Sequence, residues 1–297
     1  MSFFVEHYHS LCDFPSNNSW IIRSSIEQSI KYKIESVGTP LRDWDIQINY
    51  GIKTGCNDAF IISTEKRKEI LDNCKTSEER RRTEELIRPI LRGRDIKRYS
   101  YKWANLWLIA TFPSRHYDID LYPAVKNFLS SFNIKRLEQT GKVYTIDGGK
   151  IQARKKTNNK WFETQDSISY WDLFFKPKIC WKAVGRNLAF AAVESGTFLT
   201  APASFISANN KEEIILAYLC STLGKYYIYQ NSDTTGAGDI MLNIQSLIRF
   251  PIPQEDNKYL IQAIKKKDDN KIDDEIFRSY HFNELEINHI KNIHKCL

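Results

Sequence analysis

Carboxylates close to a lysine are the first residues of this sequence to suggest chemistry. The tripeptide Asp-Ile-Lys at 95–97 matches the end of the D-x-K pattern of nucleases, and two glutamates, 84–85, lie upstream. Nucleases use such acidic groups to hold magnesium beside a phosphate. Asp95, however, lies between Arg94 and Lys97. The order of charges therefore favours a structural ion pair, and a nuclease site is the alternative.

Other catalytic patterns are missing from the sequence. There is no Asn-Pro-Pro-Tyr or Asp-Pro-Pro-Tyr tetrapeptide, which marks methyltransferases that act on exocyclic amines, and no glycine-rich cofactor loop. The "GAGD" at 236–239 lacks the Lys-Ser/Thr pair of a P-loop. His7, His9 and Cys12 are metal ligands by type, but so few ligands near a chain end rarely make a site. We predict no catalytic residue, no metal site and no cofactor in this chain.

Length and composition indicate a folded chain without a membrane span. The 297 residues are 42% hydrophobic and 13% aromatic, enough for one large domain or two ordinary ones. No apolar run approaches the roughly 20 residues that cross a bilayer, and the first residues lack the features of a signal peptide. The six cysteines are scattered, without a Cys-x-x-Cys pair. That usage is typical of reduced thiols and predicts a cytoplasmic protein.

The positive charge is concentrated in two blocks of the sequence. The net charge is +7; residues 53–102 hold fourteen Lys/Arg against nine Asp/Glu, and residues 135–190 hold twelve against five. If folding brings the two blocks together, they form one basic face that suits a polyanion. Two separate solvated surfaces are the alternative, and charge alone does not choose between them.

Two parts of the chain carry clear helix signals. Ser24 and Glu27 have the spacing of a capping box, and Gly38 predicts the end of the first helix. The charged stretch 64–87 predicts a second helical region, broken near 75–77. Further helices are predicted from Pro123, over the apolar stretch 211–230, and in a charged C-terminal segment that opens with Asn283 and Glu286 in cap spacing.

Strands and turns fill the remainder. Short strands are predicted within 44–51 and 59–63, and residues 176–193 read as a hairpin with Gly185–Asn187 as its turn. A polar insertion at about 140–162 contains glycines and a basic run. Because helices and strands mix without regular alternation, the pattern predicts an α+β fold.

Several stretches of the sequence resemble one known family. Residues 38–62, "GTPLRDWDIQINYGIKTGCNDAFII", followed by "RPILRGRDIKRYSY", resemble the C-terminal target-recognition domain of TaqI-type adenine DNA methyltransferases. They are equally similar to the specificity half of single-chain Type IIG restriction–modification enzymes. The similarity runs from about Trp20 to the end and continues in "YPAVKNFL", "YWDLF", "KPKICW", "TGAGD…FPIP" and "DDEIFRSYHFNELEINHI".

The resemblance implies a fold and a domain organisation. It predicts an α+β target-recognition domain over 1–254, with a mixed sheet of short strands, packed helices and the basic insertion. A small helical appendix is expected over 255–297. The family's methyltransferase and nuclease parts would precede residue 1, so an excised domain or a stand-alone specificity polypeptide is expected.

The resemblance also implies a function. Such a domain recognises a specific sequence in double-stranded DNA, and its partner is an adenine methyltransferase or nuclease domain in the same or another chain. S-adenosylmethionine, and magnesium for any nuclease, would belong to those catalytic parts. The alternatives are a stand-alone specificity subunit and a protein-interaction module without DNA readout.

Residues in the predicted turns and loops are the candidate DNA contacts. They comprise Lys53, Thr54, Asn57, Arg92, Arg94, Lys155, Lys156, Lys182, Arg186, Thr234 and Thr235. Arginine binds guanine O6 and N7 in a bidentate way, so Arg92 or Arg94 is expected to read a base, with an ion pair to Asp95 as the alternative. The two adjacent lysines of the insertion are expected to contact phosphates from a flexible loop.

Structural roles compete with DNA contact at several of these positions. Asn57 has a turn-stabilising role as its alternative, and the nearby glycines Gly51 and Gly55 are predicted to be structural. The hairpin tip, flanked by Lys182 and Arg186, is expected to enter the major groove. Three tryptophans are assigned to the core: Trp44, Trp171 and Trp181.

Overall fold

Helices and short strands are interspersed throughout the protein. The computed structural model describes residues 23–292 except Asp147, Asn187 and Asp256. Its helices are α1 (Ser25–Val37), α2 (Asn57–Phe60), α3 (Thr64–Asp72), α4 (Ser77–Leu86), α5 (Pro123–Ser130), α6 (Ile134–Leu137), α7 (Glu212–Cys220), α8 (Thr222–Asn231), α9 (Ile244–Leu247), α10 (Lys258–Lys266), α11 (Asp269–Ser279) and α12 (Glu284–Asn292). Short 3-10 segments lie at Leu41–Asp43, Gly93–Asp95, Pro113–Arg115, Ile119–Leu121 and Trp171–Phe175.

The strands are short and belong to several small sheets. They are β1 (Thr39–Pro40), β2 (Gln47–Tyr50), β3 (Ile61–Ser63), β4 (Ile87–Leu91), β5 (Ile96–Lys97), β6 (Ser100–Tyr101), β7 (Leu106–Ile109), β8 (Val143–Ile146), β9 (Gly149–Gln152), β10 (Lys178–Trp181), β11 (Val184–Gly185), β12 (Phe190–Val193), β13 (Phe198–Leu199), β14 (Ser204–Ser207), β15 (Asp233–Thr234), β16 (Ile240–Met241) and β17 (Pro251–Ile252). This mixture confirms the predicted α+β class. Among the described residues, no helix combines the length and hydrophobicity that a bilayer crossing needs.

The chain divides into two compact units. Of the described residues, the first unit contains those up to Ile46, Val184–Leu188 and those from Ala208 onward; the second contains Gln47–Ala183 and Ala189–Ser207. The helices after residue 254 belong to the first unit, because α10 packs on α7 and α12 packs on α1 and α8. The expected boundary at residue 254 therefore does not separate the two units.

Two four-stranded sheets organise the second unit. One has the strand order β12-β10-β14-β2, and the other has the order β13-β4-β7-β3. Aromatic rings fill the space beside them: the Phe174 centroid lies 4.5 Å from that of Phe198 and 4.9 Å from that of Phe205. All three side chains are buried. This core supports the loops that carry the polar candidates.

The two glycines of the loop after β2 have the predicted structural roles. A side chain at Gly51 would clash with the backbone of Thr200. Gly55 has a φ of +77°, and a Cβ atom there would lie 2.9 Å from Cδ of Arg154. The loop therefore combines close backbone approach with a left-handed conformation, and both conditions favour glycine.

Predicted helix caps and breaks are confirmed. The Ser24 N–H donates to Glu27 Oε2 at 2.8 Å, which completes the capping box of α1. The charged region 64–87 forms α3 and α4, separated at 73–76, as the sequence predicts. Helix α5 begins at Pro123. These features depend on neighbouring residues, so the local sequence is sufficient to predict them.

The first unit is mainly helical, and an ion pair ties its two ends together. Glu286, at the start of α12, is buried and accepts hydrogen bonds from Lys33 Nζ at 2.7 Å and Ser29 Oγ at 2.6 Å, both in α1. Its backbone N–H also donates the predicted capping bond, to Asn283 Oδ1 at 2.9 Å. Helix α12 is therefore fastened to α1.

The predicted hairpin of residues 176–193 forms, with an added feature at its tip. β10 pairs with β12 antiparallel, from Lys178↔Val193 to Trp181↔Phe190. Beyond β10, the residues of β11 pair instead with β16, within the first unit. Part of the predicted turn, Asn187, lies outside the described residues. The tip is thus built into a second small sheet and does not project as a free ribbon.

Candidate nucleic-acid interface

The loop after β2 presents Lys53 beside a wide cavity of the second unit. The Lys53 N–H donates to Asp166 Oδ2 at 3.2 Å, and its carbonyl accepts from the Asp166 N–H at 3.2 Å. The side chain of Lys53 is exposed. The cavity has a volume of about 680 Å³, and its lining includes Tyr50, Asn159, Gln165, Tyr170 and Ala183. The backbone bonds therefore fix the base of a lysine that borders a polar and aromatic cavity.

Thr54 and Asn57, next in the same loop, bind each other. Thr54 is buried, and its hydroxyl donates to Asn57 Oδ1 at 2.7 Å. The same hydroxyl accepts from the Cys56 N–H at 3.2 Å. The structure thus assigns Thr54 an internal role in place of the expected DNA contact, and it gives Asn57 the turn-stabilising bond that was its alternative. The amide of Asn57 remains exposed.

Arg92 and Arg94 differ in their surroundings although they flank one glycine. The guanidinium of Arg92 donates to both carboxylate oxygens of Asp95, with Nε–Oδ2 at 3.0 Å and Nη2–Oδ1 at 2.8 Å. Burial of Asp95 raises its pKa, but the hydrogen bonds from Arg92 outweigh burial and leave the pKa below its ordinary value. Arg94 is exposed. The ion-pair interpretation therefore holds for Arg92, whereas Arg94 keeps an exposed side chain.

Lys182 lies beside the turn that carries Arg94. A Cβ atom at Gly93 would lie 3.2 Å from Cβ of Lys182. Lys182 precedes Ala183, which lines the same cavity as Lys53, but neither Lys182 nor Arg94 lines it. Folding therefore gathers basic residues from both charged blocks of the sequence within the second unit.

The lysines of the insertion are held in place by a buried arginine. Arg154 is 5% exposed and donates to the carbonyls of Leu137, Thr54, Glu163 and Trp161, at 2.7 to 2.8 Å. Burial lowers its pKa to about 10, which leaves the guanidinium protonated at neutral pH. Lys155 and Lys156 follow directly and are exposed. The expected flexible loop is thus an anchored segment, because four carbonyls converge on one charged group.

Arg186, Thr234 and Thr235 form a separate group in the first unit. Arg186 has a 78% exposed side chain, and its Nε lies 3.7 Å from Oδ1 of Asp239. Thr235 Oγ1 accepts from the Asp239 N–H at 3.1 Å and stabilises the turn between β15 and β16. Thr234 is exposed in β15. The side chains of Arg186 and Thr234 therefore remain accessible to a ligand, whereas the Thr235 hydroxyl already accepts a hydrogen bond inside its turn.

A basic pocket of the first unit has no counterpart in the sequence patterns. It has a volume of about 450 Å³, and its lining includes four cations and one acid: Arg23, Lys31, Arg42, Arg249 and Glu35. These residues come from segments without a positive surplus. No sequence signal predicts that Arg249 joins the others, because it is far from them in the chain.

The carboxylates of the described part of the chain do not form a metal site. Within 23–292, outside the three gaps, no group of three His, Cys, Asp or Glu side chains is arranged to hold a metal ion. Asp95, the residue of the nuclease alternative, is bonded to Arg92. His7, His9 and Cys12 lie outside the described residues. The described residues therefore do not fit a magnesium-dependent nuclease centre.

The tryptophans expected in the core have different environments. Trp181 is 1% exposed, as predicted. Trp44 is half-buried and donates to the carbonyl of Thr39 at 3.0 Å. Trp171 is half-buried at the edge of the second unit's core, and the guanidinium of Arg115 stacks on its ring. Trp171 is thus partly a surface residue.

Comparison with known proteins places these features in a family context. Residues 88–252, more than half of the chain, match the TaqI-like C-terminal specificity domain. No curated protein sequence matches the chain.

Two solved structures share its fold at 14% sequence identity. The Type IIG restriction endonuclease BpuSI aligns over 82% of this chain and 27% of its own, with a TM-score of 0.51. The Type IIL restriction–modification enzyme MmeI, solved in complex with DNA, aligns over 85% and 35%, with a TM-score of 0.54. This chain therefore spans about a third or less of the length of these enzymes.

Proposed function

Because this chain belongs to the family of TaqI-like C-terminal specificity domains, we propose that it recognises a specific sequence in double-stranded DNA. The gathering of cations around the cavity of the second unit carries the proposal. Lys53 borders the cavity, and Lys182 precedes a lining residue and lies beside the turn that carries Arg94. Arg154 links the loop of Lys53 to the exposed lysines that follow Arg154. Such a surface suits the phosphates and base edges of a duplex.

The roles of the basic residues follow from their chemistry and from what each already binds. Lysine is a compact charge, so Lys53, Lys155 and Lys156 are assigned to phosphates. Arg94 has a planar fork of donors without the carboxylate partner that holds Arg92, so it is assigned to a guanine. The phosphate contacts would set the position of the protein along the duplex, and Arg94 would discriminate between base pairs.

We assign the chemistry to parts other than this chain. The proposed whole is an adenine methyltransferase or a Type IIG-like restriction–modification enzyme, acting in the cytoplasm where its DNA lies. S-adenosylmethionine, and magnesium for cleavage, would bind its catalytic parts, in the same polypeptide or in a separate one. The small share of BpuSI and MmeI that aligns with this chain supports this division.

Selection of bound duplexes from a random library tests the proposal. The chain should enrich one short sequence, and the Arg94→Ala variant should enrich a version relaxed at a single base pair. Retention of duplexes without any preferred sequence would contradict a specificity role. It would favour a protein-interaction module with a basic surface.

A further inference from the structure

Two arginines of the second unit stack on aromatic rings of one 3-10 segment. The guanidinium carbon of Arg115 lies 3.9 Å from the ring centroid of Trp171, and that of Arg88 lies 5.1 Å from the centroid of Phe175. The two rings meet edge to face, with their centroids 5.9 Å apart. The segment 171–175 therefore holds two guanidinium groups on neighbouring rings.

The N–H edges of both guanidinium groups remain unused. Among the residues that the structure describes, neither the Arg88 nor the Arg115 side chain has a hydrogen bond or an ion pair. Stacking uses the face of a guanidinium and leaves its in-plane donors free. Two oriented cations thus present unsatisfied donors.

These donors border a small pocket with a third arginine. The pocket has a volume of about 180 Å³ and is also lined by Arg82, Tyr117 and Tyr122. Arg82 is oriented by bonds from Nη1 to Glu78 at 3.0 Å and from Nη2 to the carbonyl of Leu121 at 3.3 Å. These two bonds hold the Arg82 guanidinium in place whether or not a ligand is bound.

The acidic residue of the pocket does not neutralise the two stacked arginines. Glu85 lines the pocket, but its Oε1 accepts from Nη1 of Arg81 at 2.9 Å. The pocket is therefore positive, small and walled by aromatic rings. These properties suit a compact anion with several acceptor oxygens.

We propose that this pocket binds a phosphate group, through the free edges of Arg88 and Arg115. Guanidinium forks match phosphate geometry and can donate two parallel hydrogen bonds to it. The pocket shares no lining residue with the cavity beside Lys53. The phosphate can come from a DNA backbone, which would extend the proposed interface, or from a free phosphate ester.

Calorimetric titration with inorganic phosphate, at constant ionic strength, tests the pocket directly. The wild-type chain should bind phosphate, and Arg88→Gln with Arg115→Gln should weaken binding at least tenfold. Lys68→Gln with Lys75→Gln is the matched control, because it removes two exposed cations of the same unit outside the pocket. The control should bind phosphate like the wild type.

A charge-preserving variant guards against misfolding. Arg88→Lys with Arg115→Lys keeps both charges but removes the planar forks, so phosphate binding should still weaken severalfold. Absence of phosphate binding by the wild type, or equal binding by all variants, would overturn the proposal. Binding of acetate as tight as that of phosphate would replace the phosphate with a carboxylate ligand and would also overturn it.

The source of the phosphate is decided by the salt dependence of duplex binding. If DNA supplies it, Arg88→Gln with Arg115→Gln should flatten the slope of log K against log salt by about 1 unit relative to the Lys68→Gln, Lys75→Gln control, because one phosphate contact is lost. Loss of phosphate binding with an unchanged slope would identify a free phosphate ester instead. If the chain binds phosphate but no duplex, the proposed DNA recognition is wrong and the phosphate pocket stands. If it binds duplex but no phosphate, the pocket is wrong and DNA recognition stands.

Discussion

At the scale of single residues, burial and partner choice separate side chains that look equivalent in the sequence. Arg92 and Arg94 both flank Gly93, yet only Arg92 forms the two-bond pair with buried Asp95. Its donors stabilise the turn, because a buried carboxylate without a partner is costly. The exposed guanidinium of Arg94 remains available to a ligand.

Alanine substitution should therefore separate stability from readout at these two positions. Arg94→Ala should lose about 1–3 kcal/mol of binding on the preferred duplex and relax one base pair, with unfolding unchanged. Arg92→Ala should lower the free energy of unfolding by about 1–3 kcal/mol, because Asp95 loses its partner. Urea unfolding and binding to single-base variants of the duplex measure the two effects. Full discrimination by Arg94→Ala would remove this residue from the readout.

At the scale of elements, the polar insertion is an ordered structure. Strands β8 and β9 form a hairpin, paired from Val143↔Gln152 to Ile146↔Gly149. After β9, Ala153 is buried and the guanidinium of Arg154 donates to four carbonyls. Anchoring lowers the entropy that the exposed lysines after it would lose on binding DNA.

Removal of those two lysines should weaken DNA binding without changing sequence preference. If about 5 phosphates are contacted, the slope of log K against log salt is roughly −4 to −5. Lys155→Ala with Lys156→Ala should flatten that slope by about 1 to 2 units on every duplex, because phosphate contacts carry no sequence information. Lys68→Ala with Lys75→Ala serves as the control. An unchanged slope would place the insertion outside the interface.

Strand β10 contains a buried lysine that makes stability depend on pH. Lys178 is 1% exposed, and its Nζ donates to the carbonyls of Phe174, Lys176 and Glu194 at 2.8 to 3.1 Å. Burial lowers its pKa from 10.5 to about 8. Between these values the unfolded chain binds more protons than the folded one, so the free energy of unfolding rises with pH.

Comparison with a Lys178→Met variant isolates this effect from other titrating groups. Between about pH 8 and pH 10.5, the wild type should gain roughly 3 kcal/mol in free energy of unfolding relative to the variant. Below pH 8 the difference should be constant, because the lysine is protonated in both states. Denaturant unfolding at a series of pH values measures it. A difference that does not change with pH would show that burial leaves the pKa of Lys178 near 10.5.

At the scale of the whole molecule, the two units are assembled from interleaved parts of the chain. Segment 184–188 joins the first unit although the chain on both sides of it belongs to the second. The first unit also unites α1 with α12, through Glu286 and Lys33. Candidate contacts occur in both units, so recognition is not assigned to a single stretch of sequence.

The chain alone should be catalytically silent. With S-adenosylmethionine, magnesium and any duplex, the purified chain should neither methylate nor cleave, because the described acidic residues do not form a metal site and Asp95 is held by Arg92. Radiolabelled methyl transfer and gel analysis of the DNA measure this. Turnover that disappears in Asp95→Ala would restore the nuclease interpretation.

Local sequence determined the features that depend on residues a few positions apart. The capping box of Ser24 and Glu27, the break between α3 and α4, and the structural glycines of the loop after β2 were all predictable, because short-range bonds and φ limits dictate them. The α+β class was predictable from the irregular succession of helix and strand patterns. The resemblance to TaqI-type recognition domains rested on motifs of this local kind.

Tertiary structure alone decided which charges are free and which are used. The choice of Arg92 as the partner of Asp95, and the burial of Thr54, depend on how the turns pack. The phosphate pocket that we propose requires Arg88 and Arg115 to meet two rings from a third segment. This pocket joins residues that are distant in the chain, so composition and spacing cannot reveal it.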